Sequence, residues 1–76
     1  MPSPMFDLYM ALRRGESPDA SLLARRFVKR CMDEGGYPIV EGKSYENEAE
    51  GLSAVERDYA MKIERFVPIW RAMGLI

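Results

Sequence analysis

The residues from Leu52 to Met73 constrain the fold most strongly, because their apolar side chains recur at the spacing of an α-helix. Each residue of an α-helix advances about 100°, so side chains three or four positions apart lie on one face. The large apolar residues of that face are Leu52, Val55, Tyr59, Ile63, Phe66, Trp70 and Met73. The opposite face is mainly charged. A helix of this kind needs other elements, or a partner, to cover its apolar side.

Local signals predict the limits of this long helix. Ser53 precedes Glu56 by three residues, which is the spacing of a capping box, so we predict a helix over 53–73 with Ser53 as its N-cap. Pro68 lies inside it. Because proline lacks a backbone N–H and crowds the carbonyl four residues earlier, we expect a kink there.

Two shorter helices are predicted upstream, over residues 4–14 and 18–34. Each begins at a Ser-Pro pair, with Ser3 or Ser17 as the N-cap and proline at the first helical position, and glycine follows each stretch. The first helix is apolar on more than one side, which is typical of a helix between two others or shared with a partner.

The connection over residues 35–51 is predicted to be irregular. Residues 37–40 (Tyr-Pro-Ile-Val) favour an extended backbone, but a lone strand would have to pair outside the chain, so we interpret them as a loop tucked under the helices. A longer third helix that starts at Ser44 stays open, with Gly51 as its weak point.

The predicted fold class is therefore all-α: a three-helix bundle formed by a single domain over residues 1–76. A chain of this length buries only about 60% of the surface that it exposes when unfolded, so a monomer would be marginally stable. No apolar run approaches the roughly 20 residues needed to cross a bilayer, and one cysteine cannot form an intrachain disulfide. We expect a cytoplasmic protein with no membrane segment.

Catalytic and cofactor signals are lacking. The chain has no histidine, which removes the usual general base and metal ligand. Cys31 falls on the apolar side of the second helix and is interpreted as a core residue. The acidic residues Glu46, Glu48 and Glu50 do not have calcium-loop spacing, and no glycine-rich phosphate loop occurs. We predict no enzyme activity, no cofactor and no metal site.

Positive charge is concentrated in the first half of the chain. Residues 1–31 carry six basic and three acidic side chains, whereas residues 32–76 carry five and nine, which gives the net charge of −1. The second helix shows a basic face: Arg25, Arg26, Lys29 and Arg30. Like charges four residues apart repel, so a negative group is expected nearby. In order of preference, it belongs to the chain's own acidic residues around 46–50 or in a dimer mate, to a partner protein, or to nucleic acid.

A second candidate surface is apolar and lies near the end of the third helix. Its members are Phe66, Ile69, Trp70 and Met73. Tryptophan, methionine and arginine are enriched at interface cores, so this set predicts a dimer contact or a partner groove.

These features together predict a non-catalytic protein-binding module: a small adaptor, regulator or inhibitor that occupies a surface on a larger protein and forms a homodimer. The alternative is a small nucleic-acid-binding or transcriptional regulator that uses the basic face of the second helix. The absence of Asn and Gln from that face, and a sequence pI of about 5.4, count against it.

Overall fold

Three helices make up most of the structure, which is a computed structural model that describes residues 3–76. They are α1 (Pro4–Arg13), α2 (Ala20–Asp33) and α3 (Glu48–Ala72). Between α2 and α3, the strands β1 (Ile39–Val40) and β2 (Lys43–Ser44) pair in an antiparallel two-stranded sheet. Over residues 3–76 the chain is thus mostly helical, with three helices as predicted and one small hairpin that was not predicted.

The start of α1 is capped as predicted. The Ser3 hydroxyl oxygen accepts a hydrogen bond from the backbone N–H of Phe6, at 3.5 Å, and Pro4 occupies the first helical turn. The helix ends one residue before the predicted limit, and Gly15 follows with a positive φ of 83°. This left-handed conformation suits glycine, which lacks a Cβ.

Helix α2 begins two residues later than predicted, and its N-cap is Asp19 rather than Ser17. An Asp19 carboxylate oxygen accepts from the backbone N–H of Leu22, at 3.0 Å. A charged acceptor suits the positive end of a helix dipole, which explains why Asp19 caps the helix.

Helix α3 begins at Glu48, five residues before the predicted start, so the capping box at Ser53 is wrong. Asn47 is the N-cap, and its side-chain oxygen accepts from the backbone N–H of Glu50 at 3.2 Å. Ser53 lies exposed inside the helix. The helix continues through Pro68 to Ala72, and the kink at Pro68 stays a prediction.

Gly51 explains why the longer helix is possible. It is buried, and a Cβ at this position would lie 2.8 Å from the Pro38 ring and 3.2 Å from Tyr45 Cβ. The connection therefore packs directly on the α3 backbone. Glycine is a weak helix former, but at position 51 only a residue without a Cβ leaves room for the Pro38 ring.

The interpretation of residues 37–40 as a loop is wrong for Ile39 and Val40, which form β1. This strand pairs with β2 of the same chain, with Val40 opposite Lys43. Glu41 and Gly42 form the turn, with φ values of 52° and 80°. Two positive φ values are typical of a tight hairpin turn whose twist matches the strands. Of the three side chains expected to tuck under the helices, Val40 packs partly buried against the core, but Tyr37 and Ile39 are exposed. Pro38, for which no such burial was predicted, is fully buried.

The core lies where α1 and α2 pack on the middle of α3. Its centre consists of the fully buried Tyr59, Val55 and Leu8, with Phe27 edge-on to Tyr59 at a ring-centroid distance of 6.2 Å. The predicted apolar face of α2 contributes Leu23, Ala24, Phe27, Val28 and Cys31. Within residues 3–76, no helix is both long and apolar enough to cross a membrane.

Part of the predicted charged face of α3 is also covered. Asp58 and Lys62 are largely buried, and Lys62 Nζ donates to both Asp58 carboxylate oxygens at 2.6 Å. Asp58 shares a small cavity with Val40 and Tyr45 from the hairpin region. The hairpin therefore shields a stretch of α3 that its sequence pattern places towards solvent.

Candidate binding groove between the first two helices

A groove of about 270 Å³ lies between α1 and α2, with α3 beneath it. Its apolar lining consists of Phe6 and Met10 from α1 and Leu23 from α2. Leu23 is buried, whereas Phe6 is 61% exposed. We call this feature the α1–α2 groove. It combines a buried apolar wall with a large aromatic side chain that is open to solvent.

Arginine side chains supply most of the charge along the groove. Arg14, at the end of α1, and Arg26 both line it and both bind Glu16. Arg14 Nε donates to one carboxylate oxygen at 3.0 Å, and Arg26 Nη1 donates to the other at 2.7 Å. The hydrogen bond from Arg26, followed by that from Arg14, lowers the pKa of Glu16 below its ordinary value. One carboxylate thus holds two guanidinium groups.

The third arginine of the groove, Arg30, pairs with Asp7, which also lines it. Arg30 also lies over the Phe27 ring, 5.9 Å from the centroid. With Glu16 included, three arginines meet two carboxylates. The groove therefore keeps one net positive charge next to its apolar wall.

Tyr59 completes the lining from α3. The residue is 0% exposed, and within residues 3–76 its hydroxyl oxygen has no hydrogen-bond partner. Burial, with a smaller contribution from the Asp7 carboxylate, raises the pKa of this hydroxyl well above its ordinary value. The hydroxyl is therefore protonated at neutral pH, and it can donate a hydrogen bond rather than act as a base.

The predicted basic face of α2 divides between the groove and the outer surface. Arg26 and Arg30 line the groove, but Arg25 and Lys29 do not. The groove thus brings together half of the predicted face and adds Arg14, the C-cap of α1.

The partners of the basic face differ from those predicted first. Lys29 binds Asp33 at 2.6 Å on the same helix, and Arg25 donates to the Ser21 hydroxyl at 2.8 Å. Three of the four basic side chains therefore pair with the chain's own carboxylates. These carboxylates are Asp7, Glu16 and Asp33, and not the acidic residues around 46–50.

The second predicted surface, at the end of α3, is only partly free. Trp70 is half-buried, with its ring edge-on to Tyr9 at 5.3 Å and stacked on Phe66 at 6.1 Å. Ile69 and Met73 are exposed instead. Two of the four predicted residues thus contribute to packing within the chain, and two face solvent.

Comparison with protein-family models, with curated proteins and with solved structures finds no match to this chain. In the part of the chain that the structure describes, no three His, Cys, Asp or Glu side chains gather where they could hold a metal ion.

Sequence reasoning missed the contribution of α1 to the groove. Phe6, Met10 and Arg14 are spaced four residues apart, so they form one stripe along α1. The apolar excess of α1 is visible in the sequence. Its position beside the basic face of α2 depends on how the two helices pack, and the sequence pattern does not specify that.

Proposed function

We propose that this chain is a non-catalytic protein-binding module, a small adaptor, regulator or inhibitor, which docks a larger protein in the α1–α2 groove. The observation that carries the proposal is the exposed Phe6 ring on a groove lined by three arginines. Interface centres are rich in aromatic residues, methionine and arginine, and this groove offers all three.

Burial of Phe6 can supply only part of the binding free energy of a complex. Full burial of one phenylalanine side chain is worth about 1.5–3 kcal/mol, whereas association costs an estimated 4–15 kcal/mol in lost freedom of motion. Phe6 cannot supply a stable complex alone. The partner must therefore also cover Met10 and engage the arginines, and so extend beyond the groove.

The protonation state of the groove supports a non-catalytic role. The Tyr59 hydroxyl stays protonated because burial raises its pKa, and the carboxylates of Asp7 and Glu16 are engaged by arginines. A general base at neutral pH needs a pKa near the operating pH, and the Tyr59 hydroxyl, whose pKa is raised by burial, does not meet this requirement. These residues are better suited to binding and orientation.

A nucleic-acid-binding role is the weaker candidate. The basic face of α2 offers no Asn or Gln side chain to read base edges, and the chain as a whole carries a net charge of −1 rather than an excess of positive charge. We further propose that the protein is cytoplasmic, in keeping with its one free, buried thiol at Cys31. The exposed Ile69 and Met73 support a homodimer contact away from the groove.

The test is capture of partners from native lysate by the immobilised wild-type protein and by two matched variants. Phe6→Asp places a charge on the groove, whereas Tyr37→Asp makes the same change at another aromatic residue, one that is 48% exposed on the connection. We expect Phe6→Asp to lose the captured protein and Tyr37→Asp to retain it, with both variants folded by circular dichroism.

Nuclease treatment separates the two functions. A protein that is retained after nuclease, and lost with Phe6→Asp, supports the binding module. Equal capture by Phe6→Asp and wild type would remove the groove from the proposal. Loss of all retained material on nuclease treatment would favour nucleic acid as the target.

A further inference from the structure

We propose that the occupant of the α1–α2 groove is an acidic segment of a partner protein, in which a carboxylate lies next to an apolar side chain. The partner's carboxylate displaces Glu16 from Arg14 and Arg26. Its apolar side chain packs on Phe6 and Met10. This inference rests on the proposed protein-binding function and specifies the chemistry of the segment that is bound.

The first support is the way in which two arginines meet one carboxylate. Arg14 belongs to the end of α1 and Arg26 to the middle of α2, yet both contact the oxygens of Glu16, at 3.0 and 2.7 Å. Glu16 lies in the loop between the helices, so its side chain can turn away without breaking either helix. Glu16 thus occupies a carboxylate position that a ligand can take over.

The second support is the charge balance. The three arginines of the groove face the carboxylates of Asp7 and Glu16, which leaves one positive charge. The remaining positive charge attracts an acidic group to the groove, and a partner carboxylate that takes the place of Glu16 keeps the two arginines paired. The site therefore selects a singly charged acidic group beside an apolar one.

The third support is the buried hydroxyl of Tyr59. It has no hydrogen-bond partner within residues 3–76, and the residue lines the groove. Buried polar groups in folded proteins are nearly always hydrogen-bonded, so this hydroxyl is available to donate to an acceptor that reaches the base of the groove. A backbone carbonyl or carboxylate oxygen of the docked segment supplies one.

The volume of the groove favours a peptide segment over a larger ligand. Its 270 Å³ lies below the roughly 300–1,000 Å³ of drug-sized ligand pockets. One or two side chains fill it. The remaining contacts then come from the partner surface around the groove, as the proposed function requires.

The experiment uses three blocked tetrapeptides and isotope-labelled protein, with backbone amide shifts measured by NMR at millimolar peptide. The peptides are acetyl-Gly-Glu-Phe-Gly-amide, its Gln-Phe counterpart and its Glu-Gly counterpart. We expect the Glu-Phe peptide to shift amides of α1 and α2 around the groove and to bind at least tenfold more tightly than either control. Equal binding of the Gln-Phe peptide, or shifts confined to other surfaces, would overturn the proposal.

Variants test the role of each group. Glu16→Gln removes the internal competitor and should raise the affinity for the Glu-Phe peptide several-fold, whereas Glu64→Gln, an exposed change on α3, should not. Tyr59→Phe should weaken binding several-fold while its melting temperature stays the same or rises. Unchanged affinity in Glu16→Gln, or in a folded Tyr59→Phe, contradicts the proposed contacts.

Other occupants give different outcomes. Groove shifts that grow with protein concentration in the absence of peptide would identify a second copy of the chain and overturn the proposal, as would tighter binding of a single-stranded oligonucleotide. If Phe6-dependent capture persists while no peptide binds, the acidic chemistry is wrong and the protein-binding function stands. If the peptides bind as expected but the Phe6→Asp variant captures the same protein as wild type, the groove is an acid-binding site and the proposed protein-binding function of the groove is wrong.

Discussion

At the scale of single residues, Glu16 gives the fold an acid-sensitive contact. The hydrogen bonds from Arg26 and Arg14 lower its pKa in the folded state, whereas an unfolded glutamate titrates at about pH 4.3. The contribution of Glu16 to stability is therefore fully present above the unfolded pKa and is lost as pH falls through the lower, folded pKa. We expect Glu16→Gln to be less stable than wild type at neutral pH.

Unfolding of both proteins in urea, followed across the acid range, measures this effect. The difference in the free energy of unfolding should shrink towards zero as pH falls below the folded pKa of Glu16, and added salt should reduce it because the pair is exposed. A difference that stays constant with pH would mean that the Arg14–Glu16–Arg26 contact does not titrate as described.

Residue identities anticipated part of the groove. The charge pattern of α2 predicts Arg26 and Arg30 as binding residues, and both line the groove. Whether they bind a partner stays a prediction. The apolar period of α3 places Tyr59 in the core, and Tyr59 is fully buried there. The unsatisfied hydroxyl of Tyr59 could not be foreseen, because a hydrogen-bond partner in the core is supplied by other elements and not by sequence neighbours.

At the scale of elements, the start of α3 gives a direct comparison between two candidate caps. Asn47→Ala removes the side-chain oxygen that accepts from the Glu50 N–H, and it should lower the free energy of unfolding by about 1 kcal/mol. Ser53→Ala changes an exposed position inside the helix, where alanine has the higher propensity. It should stay within about 0.5 kcal/mol of wild type or be slightly stabilising.

Urea unfolding of the two variants, with helix content followed by circular dichroism, checks this ranking. A larger loss of stability in Ser53→Ala than in Asn47→Ala would contradict Asn47 as the N-cap and support the predicted shorter helix that begins at Ser53. The capping-box spacing at Ser53 misleads because the pattern is local, whereas the helix start is also fixed by packing of residues 38 and 45 on Gly51.

The hairpin is the element that the sequence pattern did not predict. Period-two alternation needs at least four residues to be visible, and each strand here has two. The turn carries Glu41 where asparagine is usual, so the common Asn-Gly signal is missing too. The burial of Asp58 follows from the hairpin and was missed with it.

At the scale of the whole molecule, the exposed aliphatic end of α3 leads to a prediction of self-association. Ile69 is 51% exposed and lies four residues before the exposed Met73. We expect the wild-type protein to sediment as a dimer and Ile69→Glu to sediment as a monomer, because a buried unpaired charge opposes the contact. Ile39→Glu, at a residue 47% exposed on the hairpin, is the matched control and should leave the dimer intact.

Sedimentation equilibrium over a range of protein concentrations decides the matter. A wild-type protein that stays monomeric at millimolar concentration rules out the dimer, and equal loss of association in both variants would remove α3 as its site.

The three-helix content of the molecule was predictable, because each helix carries a clear apolar period. Its relative helix packing, which creates the α1–α2 groove, was not.

The contact between Gly51 and Pro38 has a consequence for how this fold can change over time. Any side chain at 51 would collide with the Pro38 ring, so the two positions cannot vary independently. Sequences that share this fold should keep glycine at 51, or change 38 and 51 together. Such a correlated pair, together with the stripe formed by Phe6, Met10 and Arg14, would identify a distant relative even where overall sequence identity is low.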